Sequence, residues 1–152
     1  MNPGHFFSAM AVVLIAARFL GGKILETYSK EKIIPAVISV SMVALLILAF
    51  SRTLPAFILV GMLWGIGGGF LPPVSMAYAL DYAGSADGTS VGTYQAFMDF
   101  GFGLGPAIVG IIVPITDYPV MFLFLAFVLL INLVYFQFYL EKKRHSHPLL
   151  RQ

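Results

Sequence analysis

The 152-residue chain is 59% hydrophobic, has a mean hydropathy of +0.91, and contains only 11% charged residues. An average soluble domain carries about 25% charged residues, so the composition excludes a soluble globular domain and indicates that lipid covers most of the surface. The net charge of +2 is too small to indicate a nucleic-acid partner. The sequence contains no cysteine, which excludes disulfides and thiol chemistry.

Five apolar segments are long enough to cross the bilayer, which requires about 20 residues per helix. Backbone polar groups must be paired within lipid, so each segment is predicted to be α-helical. The sequence thus predicts an all-α integral membrane protein, with residues 1–152 as a single domain. The predicted helices are α1 (about Gly4–Gly22), α2 (Ile33–Phe50), α3 (Leu54–Leu80), α4 (Val91–Val113) and α5 (Pro119–Leu140), followed by a cytoplasmic tail, 141–152.

The basic residues predict the orientation, because Lys and Arg concentrate on the cytoplasmic side of membrane proteins. Seven lie on one side and only Arg52 on the other, with Arg18 inside α1. The seven are Lys23, Lys30, Lys32, Lys142, Lys143, Arg144 and Arg151. We therefore expect an outside N-terminus and a cytoplasmic C-terminus in the plasma or inner membrane. An outside N-terminus followed at once by a helix also leads us to expect preceding sequence.

Glycine recurs every four residues in α3, at Gly61, Gly65 and Gly69. Such spacing places small residues on one helix face, where another helix can approach closely. Pro72 and Pro73 follow and remove backbone donors from the helix. The pattern predicts close packing with a kink, and it is also compatible with a hinge.

Asp99 lies about two turns inside predicted α4, and Gln95 is one turn earlier on the same face. Ionisable residues within a span are costly and therefore suggest function. One interpretation is a carboxylate that carries protons or contacts substrate. The other is an interhelical hydrogen bond that fixes packing. Both predict that this face, with its small residues, meets protein or a polar cavity rather than lipid.

Three further side chains are candidates for roles within the membrane. Arg18 either snorkels to the headgroups or pairs with Asp99 or another carboxylate, and we favour a structural or gating role over substrate contact. Trp64 and Tyr94 are candidates for lining a substrate cavity, although single aromatic residues in a span more often serve packing. No catalytic cluster, metal site or cofactor site is apparent.

The motifs together resemble the C-terminal half of major facilitator superfamily transporters, in the drug- and metabolite-efflux branch. The run Ala17–Glu26 is similar to the family's "R-x-x-x-G-R-L-x-D-R-x-G-R" stretch at helix eight of twelve. Gly65–Pro72 resembles the glycine-rich helix ten, and Asp99–Pro106 resembles the "D-x-G-x-x-x-G-P" pattern of helix eleven. Glu26 and Thr27 stand where the family has Asp and Arg, and Asp87-Gly88 replaces its usual Arg-Gly.

The resemblance implies that α1–α5 correspond to helices eight to twelve, and that seven helices, including the N-terminal half, are absent. It implies a cytoplasmic loop motif at Gly22, Lys23, Glu26 and Lys30, and packing or hinge roles for Gly101, Gly105 and Pro106. It places Asp99 at a helix–helix contact. The implied activity is proton-coupled efflux of an unknown small molecule by alternating access.

Two other classes of protein compete with a transporter. The first is a membrane protein without transport activity, such as a truncated product or a scaffold that packs against a partner, whereas an upstream continuation, in frame or frameshifted, that encodes seven more helices would favour a broken transporter. A membrane-embedded enzyme would need clustered catalytic groups, whereas Asp99 and Arg18 are the only charged residues inside the predicted spans. We therefore expect no enzymatic activity.

Overall fold

A computed structural model describes the backbone of residues 4–84 and 88–146, with the side chains of 20–23, 25–26 and 143–146 outside the described part. The described residues form five α-helices and no strand, which confirms the all-α prediction. The helices are α1 (Gly4–Thr27), α2 (Lys30–Phe50), α3 (Leu54–Ala83), α4 (Gly88–Ile112) and α5 (Tyr118–Ser146).

Most helices extend beyond their predicted ends. The α1–α2 connection, predicted as ten residues, is reduced to Tyr28 and Ser29. At the opposite end of the bundle, Ser51–Thr53 connects α2 to α3. Hydropathy reports where a helix leaves the hydrocarbon, whereas the backbone hydrogen bonds of a helix continue to form in the headgroup region and in water. The helix α3 ends where Gly84 adopts a left-handed conformation, with φ of 71°, which glycine accommodates without a steric penalty.

The helix α3 is the centre of the bundle. Both α1 and α2 pack against it, α5 packs against α2, and α4 has a smaller contact with α3. The apolar core is formed by α2 and α3 side chains such as Val37, Ile38 and Val74, together with Ala17 of α1. Helix α3 thus positions α1, α2 and α4, whereas α2 positions α5.

Four of the described helices are long and apolar enough to cross a membrane: Lys30–Phe50, Leu54–Ala83, Gly88–Ile112 and Tyr118–Lys142. In α1 the described apolar stretch, Gly4–Phe19, is shorter than each of these four. Exposed large apolar side chains are frequent on all five helices, as lipid surroundings demand. The protein is thus a multi-pass membrane protein.

Candidate functional site

Helix α3 contacts α1 through the three glycines spaced by four residues. A Cβ atom added to Gly61 would lie 2.8 Å from the carbonyl oxygen of Phe6, and one added to Gly65 would lie 2.7 Å from that of Met10. At Gly69 the neighbour is the Cβ of Ala17, at 2.6 Å. No side chain fits at these distances without movement, so the glycines allow the two backbones to meet. We call this contact the α1–α3 seam.

A second close contact lies on another face of α3. A Cβ added to Gly67 would lie 2.5 Å from the Oγ atom of Ser41 on α2. Ser41 is buried, with 8% of its surface exposed. Since Gly67 is two residues from both Gly65 and Gly69, it points away from the α1–α3 seam. Helix α3 therefore uses glycine to bring both α1 and α2 close.

The polar pair on α4 lies on an exposed face. Gln95 Nε2 donates a hydrogen bond to Asp99 Oδ1 at 3.0 Å, and both residues are exposed. The side of α4 that faces α3 carries Tyr94 instead, whose hydroxyl donates to the carbonyl oxygen of Pro72 at 3.1 Å. Asp99 lies five residues beyond Tyr94, so it points well away from α3. The hydrogen-bond donor expected near Asp99 thus comes from its own helix.

The glycines of α4 differ from those of α3. Added Cβ atoms at Gly101, Gly103 and Gly105 would meet nothing within 4 Å. Pro106, which lies within the same helix, has an exposed side chain. No residue of α4 is buried in the part of the chain that the structure describes. The packing expected from the resemblance at these positions is therefore not formed with the other described helices.

The remaining intramembrane candidates lie apart from the α4 pair. Arg18 is exposed on α1, and it forms no ion pair with Asp99, so that alternative is not realised among the described residues. Trp64 is 40% exposed on α3. Of these aromatic and charged candidates, Tyr94 is the one with a hydrogen bond to Pro72 of α3 among the described residues.

Lys30 connects two helix ends on the side predicted to be cytoplasmic. It is the first residue of α2, and its Nζ atom lies 2.5 Å from Asp81 Oδ2, near the end of α3. The same ammonium donates to the carbonyl oxygen of Ala77, one turn earlier on α3, at 3.4 Å. Three other residues of the predicted loop motif, Gly22, Lys23 and Glu26, lie in α1, with their side chains outside the described part.

The Lys30–Asp81 pair was not predicted, because the two residues are 51 positions apart. The available signal was their placement on the same predicted side, with opposite charges at the two helix ends. The described residues contain no group of three potential metal ligands. The exposed face of α4 thus presents one carboxylate, which accepts a hydrogen bond from an amide and is not covered by the other described helices.

The comparison with protein families agrees with this arrangement of apolar helices. No curated protein and no solved structure matches the chain. The family model described as Major Facilitator Superfamily matches residues 3–152, which is nearly the whole chain. The chain belongs to the Major Facilitator Superfamily, a family of membrane transporters.

Proposed function

We propose that the chain is the C-terminal part of a secondary transporter, a proton-coupled efflux permease for a small molecule that works by alternating access. The observation that carries the proposal is the Gln95–Asp99 pair on the exposed face of α4. Membership of a family of transporters supports the proposal, and the exposed position of this pair supports a working site on the α4 face.

The cost of a charged group in lipid supports this proposal. A carboxylate at the centre of a span costs about 2.5–3.5 kcal/mol on the insertion scale, and such groups normally face a bundle interior or a water-filled cavity. Within the described part of the chain, Asp99 accepts one hydrogen bond, from Gln95, which leaves most of its acceptor sites unused. We infer that further helices, the N-terminal half of the transporter, cover this face and enclose a cavity beside it.

The packing of the bundle supports the proposed movement. The tight contacts of α3 with α1 and α2 make these helices one body, whereas α4 is attached at its edge. Alternating access in such transporters is largely rocking of one rigid bundle against another around a central site. In this proposal α4 lines the boundary between the two bundles, and Asp99 lies at that boundary.

The test is Asp99→Asn in the complete transporter, reconstituted in vesicles with an imposed pH gradient. If Asp99 carries protons, coupled transport is lost while the folded protein is retained, because an amide does not exchange a proton near neutral pH. If Asp99 only fixes packing, most activity remains, because the amide still accepts a hydrogen bond. The matched control is Asp117→Asn, which removes an exposed carboxylate from the α4–α5 connection.

Retention of both folding and coupled transport in Asp99→Asn would contradict the proton-carrying role. If the purified protein, with its covering helices, leaves Asp99 facing lipid, the proposed boundary itself is wrong. A spin label at position 99 would measure this: a label in lipid is accessible to dissolved oxygen, whereas a label in water is accessible to nickel complexes.

A second candidate function is a membrane scaffold without transport activity. The same open α4 face favours it, because that face could bind another membrane protein with no cavity between them. The coding sequence upstream separates the two candidates: seven further helices in the same reading frame favour the transporter.

We also propose that the protein resides in the plasma or inner membrane, with its N-terminus outside and its C-terminus in the cytoplasm. The seven basic residues on the side of Lys30, against Arg52 on the other, support this orientation. A reporter enzyme that works only in the cytoplasm should be active when fused to the C-terminus. Activity of a periplasm-specific reporter at that position would reverse the assignment.

A further inference from the structure

An apolar groove lies between α1 and α2 and has α3 as its floor. It arises because both helices pack mainly against α3 rather than against each other. The groove has a volume of about 330 Å³. Its lining is formed by Ile24, Tyr28, Lys32, Ile33, Ala36, Val37, Val40, Ile66 and Phe70. With the exception of Lys32 and the Tyr28 hydroxyl, these side chains are apolar.

The groove has one polar end and one apolar end. Lys32 and Tyr28 lie at the α1–α2 connection, where the chain reaches the membrane surface. From Lys32 to Val40 the groove follows α2 for about 12 Å, at 1.5 Å per residue. A positive charge at the surface, followed by an apolar channel into the bilayer, matches a phospholipid with an anionic headgroup. Basic pockets between helices bind such headgroups.

The two neighbouring lysines of α2 differ in their partners. Lys30 is engaged by Asp81, whereas Lys32 is exposed and borders the groove. Lys32 also borders a second hollow, lined by Glu31 and Glu141 among others, so these carboxylates compete with a lipid phosphate for it. None of the described ion pairs includes Lys32.

We propose that this groove binds an anionic phospholipid, with one acyl chain along Val37, Val40 and Phe70 and with the headgroup phosphate against Lys32. The site is separate from the α4 face, and it does not depend on the proposed transport activity. It would hold a lipid against α1, α2 and α3 together and so stabilise the contact of both helices with α3.

The test is native mass spectrometry of the purified 152-residue chain titrated with dioleoyl phosphatidylglycerol or dioleoyl phosphatidylcholine. We expect phosphatidylglycerol to be retained more strongly. Lys32→Gln should weaken that retention about fivefold, the effect of one basic residue near an anionic surface. Ala36→Phe should weaken it at least as much, because Ala36 is an exposed wall residue and a phenyl ring fills the groove without altering charge.

Lys142→Gln is the matched control, since it removes a charge from the same side outside the groove. We expect less than a twofold change. Equal losses in Lys32→Gln and Lys142→Gln would overturn the proposal in favour of general surface attraction. No loss in Ala36→Phe would exclude the acyl chain from the groove. Displacement of the lipid by glycerol phosphate alone, at similar concentration, would show a phosphate site and not a lipid site.

Discussion

Helices α3 and α4 are both rich in glycine, but they use it in opposite ways. In α3, backbone and side-chain atoms of α1 occupy the space beside Gly61, Gly65 and Gly69, so close that no Cβ atom fits there. In α4, Gly101, Gly103 and Gly105 face open space, and a polar pair lies exposed on the helix. Glycine content alone does not distinguish a helix face that packs against a neighbour from one that no described helix contacts. The neighbouring helix decides between them.

The largest effect expected from this comparison is at the α1–α3 seam. Gly65→Leu places a side chain where the Met10 carbonyl oxygen lies at 2.7 Å from the Cβ position. Overpacking typically costs about 1–3 kcal/mol, and here the obstacle is backbone, which cannot rotate away, so we expect the upper end or more. Size-exclusion chromatography in detergent should show loss of the monodisperse folded protein, and the complete transporter should be inactive.

The control for this substitution is Gly103→Leu in the same 152-residue chain. Since a Cβ at Gly103 meets nothing within 4 Å, the chromatographic profile should stay close to that of the unmodified chain. If Gly65→Leu and Gly103→Leu behave alike, the difference drawn between α3 and α4 is wrong.

The second prediction tests the same α4 face in the complete transporter, where we propose that further helices cover it. Gly103→Leu, tolerated in the 152-residue chain, should reduce transport at least tenfold in the complete transporter, because the covering helices would then meet the leucine. Transport in vesicles measures this effect. Lys142→Gln, at the far end of α5, serves as the control. Full activity of Gly103→Leu in that context would mean that the face stays uncovered.

The smallest effect is expected at the contact between Gly67 and Ser41. Gly67→Ala brings a methyl group to 2.5 Å from Ser41 Oγ, but a hydroxyl can rotate away. We expect a loss of about 1 kcal/mol, within the usual range for single substitutions. Adding Ser41→Ala should restore most of it, since the Ser41 Cβ would remain at 3.8 Å.

Thermal unfolding in detergent, run as a double-mutant cycle, measures this coupling. Gly65→Ala is the matched single substitution, and it should cost more than Gly67→Ala because its obstacle is backbone. Additive effects of Gly67→Ala and Ser41→Ala would show that the two residues are not in contact.

The sequence predicts the existence and order of the helices well, because a helix in lipid requires a long apolar run. The predicted helix ends are wrong where polar residues such as Lys30 and Glu31 continue a helix beyond the hydrocarbon. The spacing of Gly61, Gly65 and Gly69 predicts a packing face but not its partner α1, since periodicity identifies a surface and not its neighbour.

The candidate site is less predictable for the same reason. Asp99 and Gln95 are found together because they are one turn apart on a single helix. Tyr94 donates to the Pro72 carbonyl oxygen, a contact that the sequence does not predict because it depends on how α4 lies beside α3. The pairing of Lys30 with Asp81 likewise depends on the arrangement of two distant helix ends.

The central position of α3 has a consequence for biogenesis. During synthesis α1 and α2 enter the bilayer before α3 has left the ribosome, yet α3 is their main contact in the finished bundle. The α1–α2 hairpin must therefore persist in the membrane as two weakly associated helices until α3 packs against both. We expect the insertion machinery to retain this hairpin for longer than one with its own tight contact, and Gly65→Leu to prolong that retention.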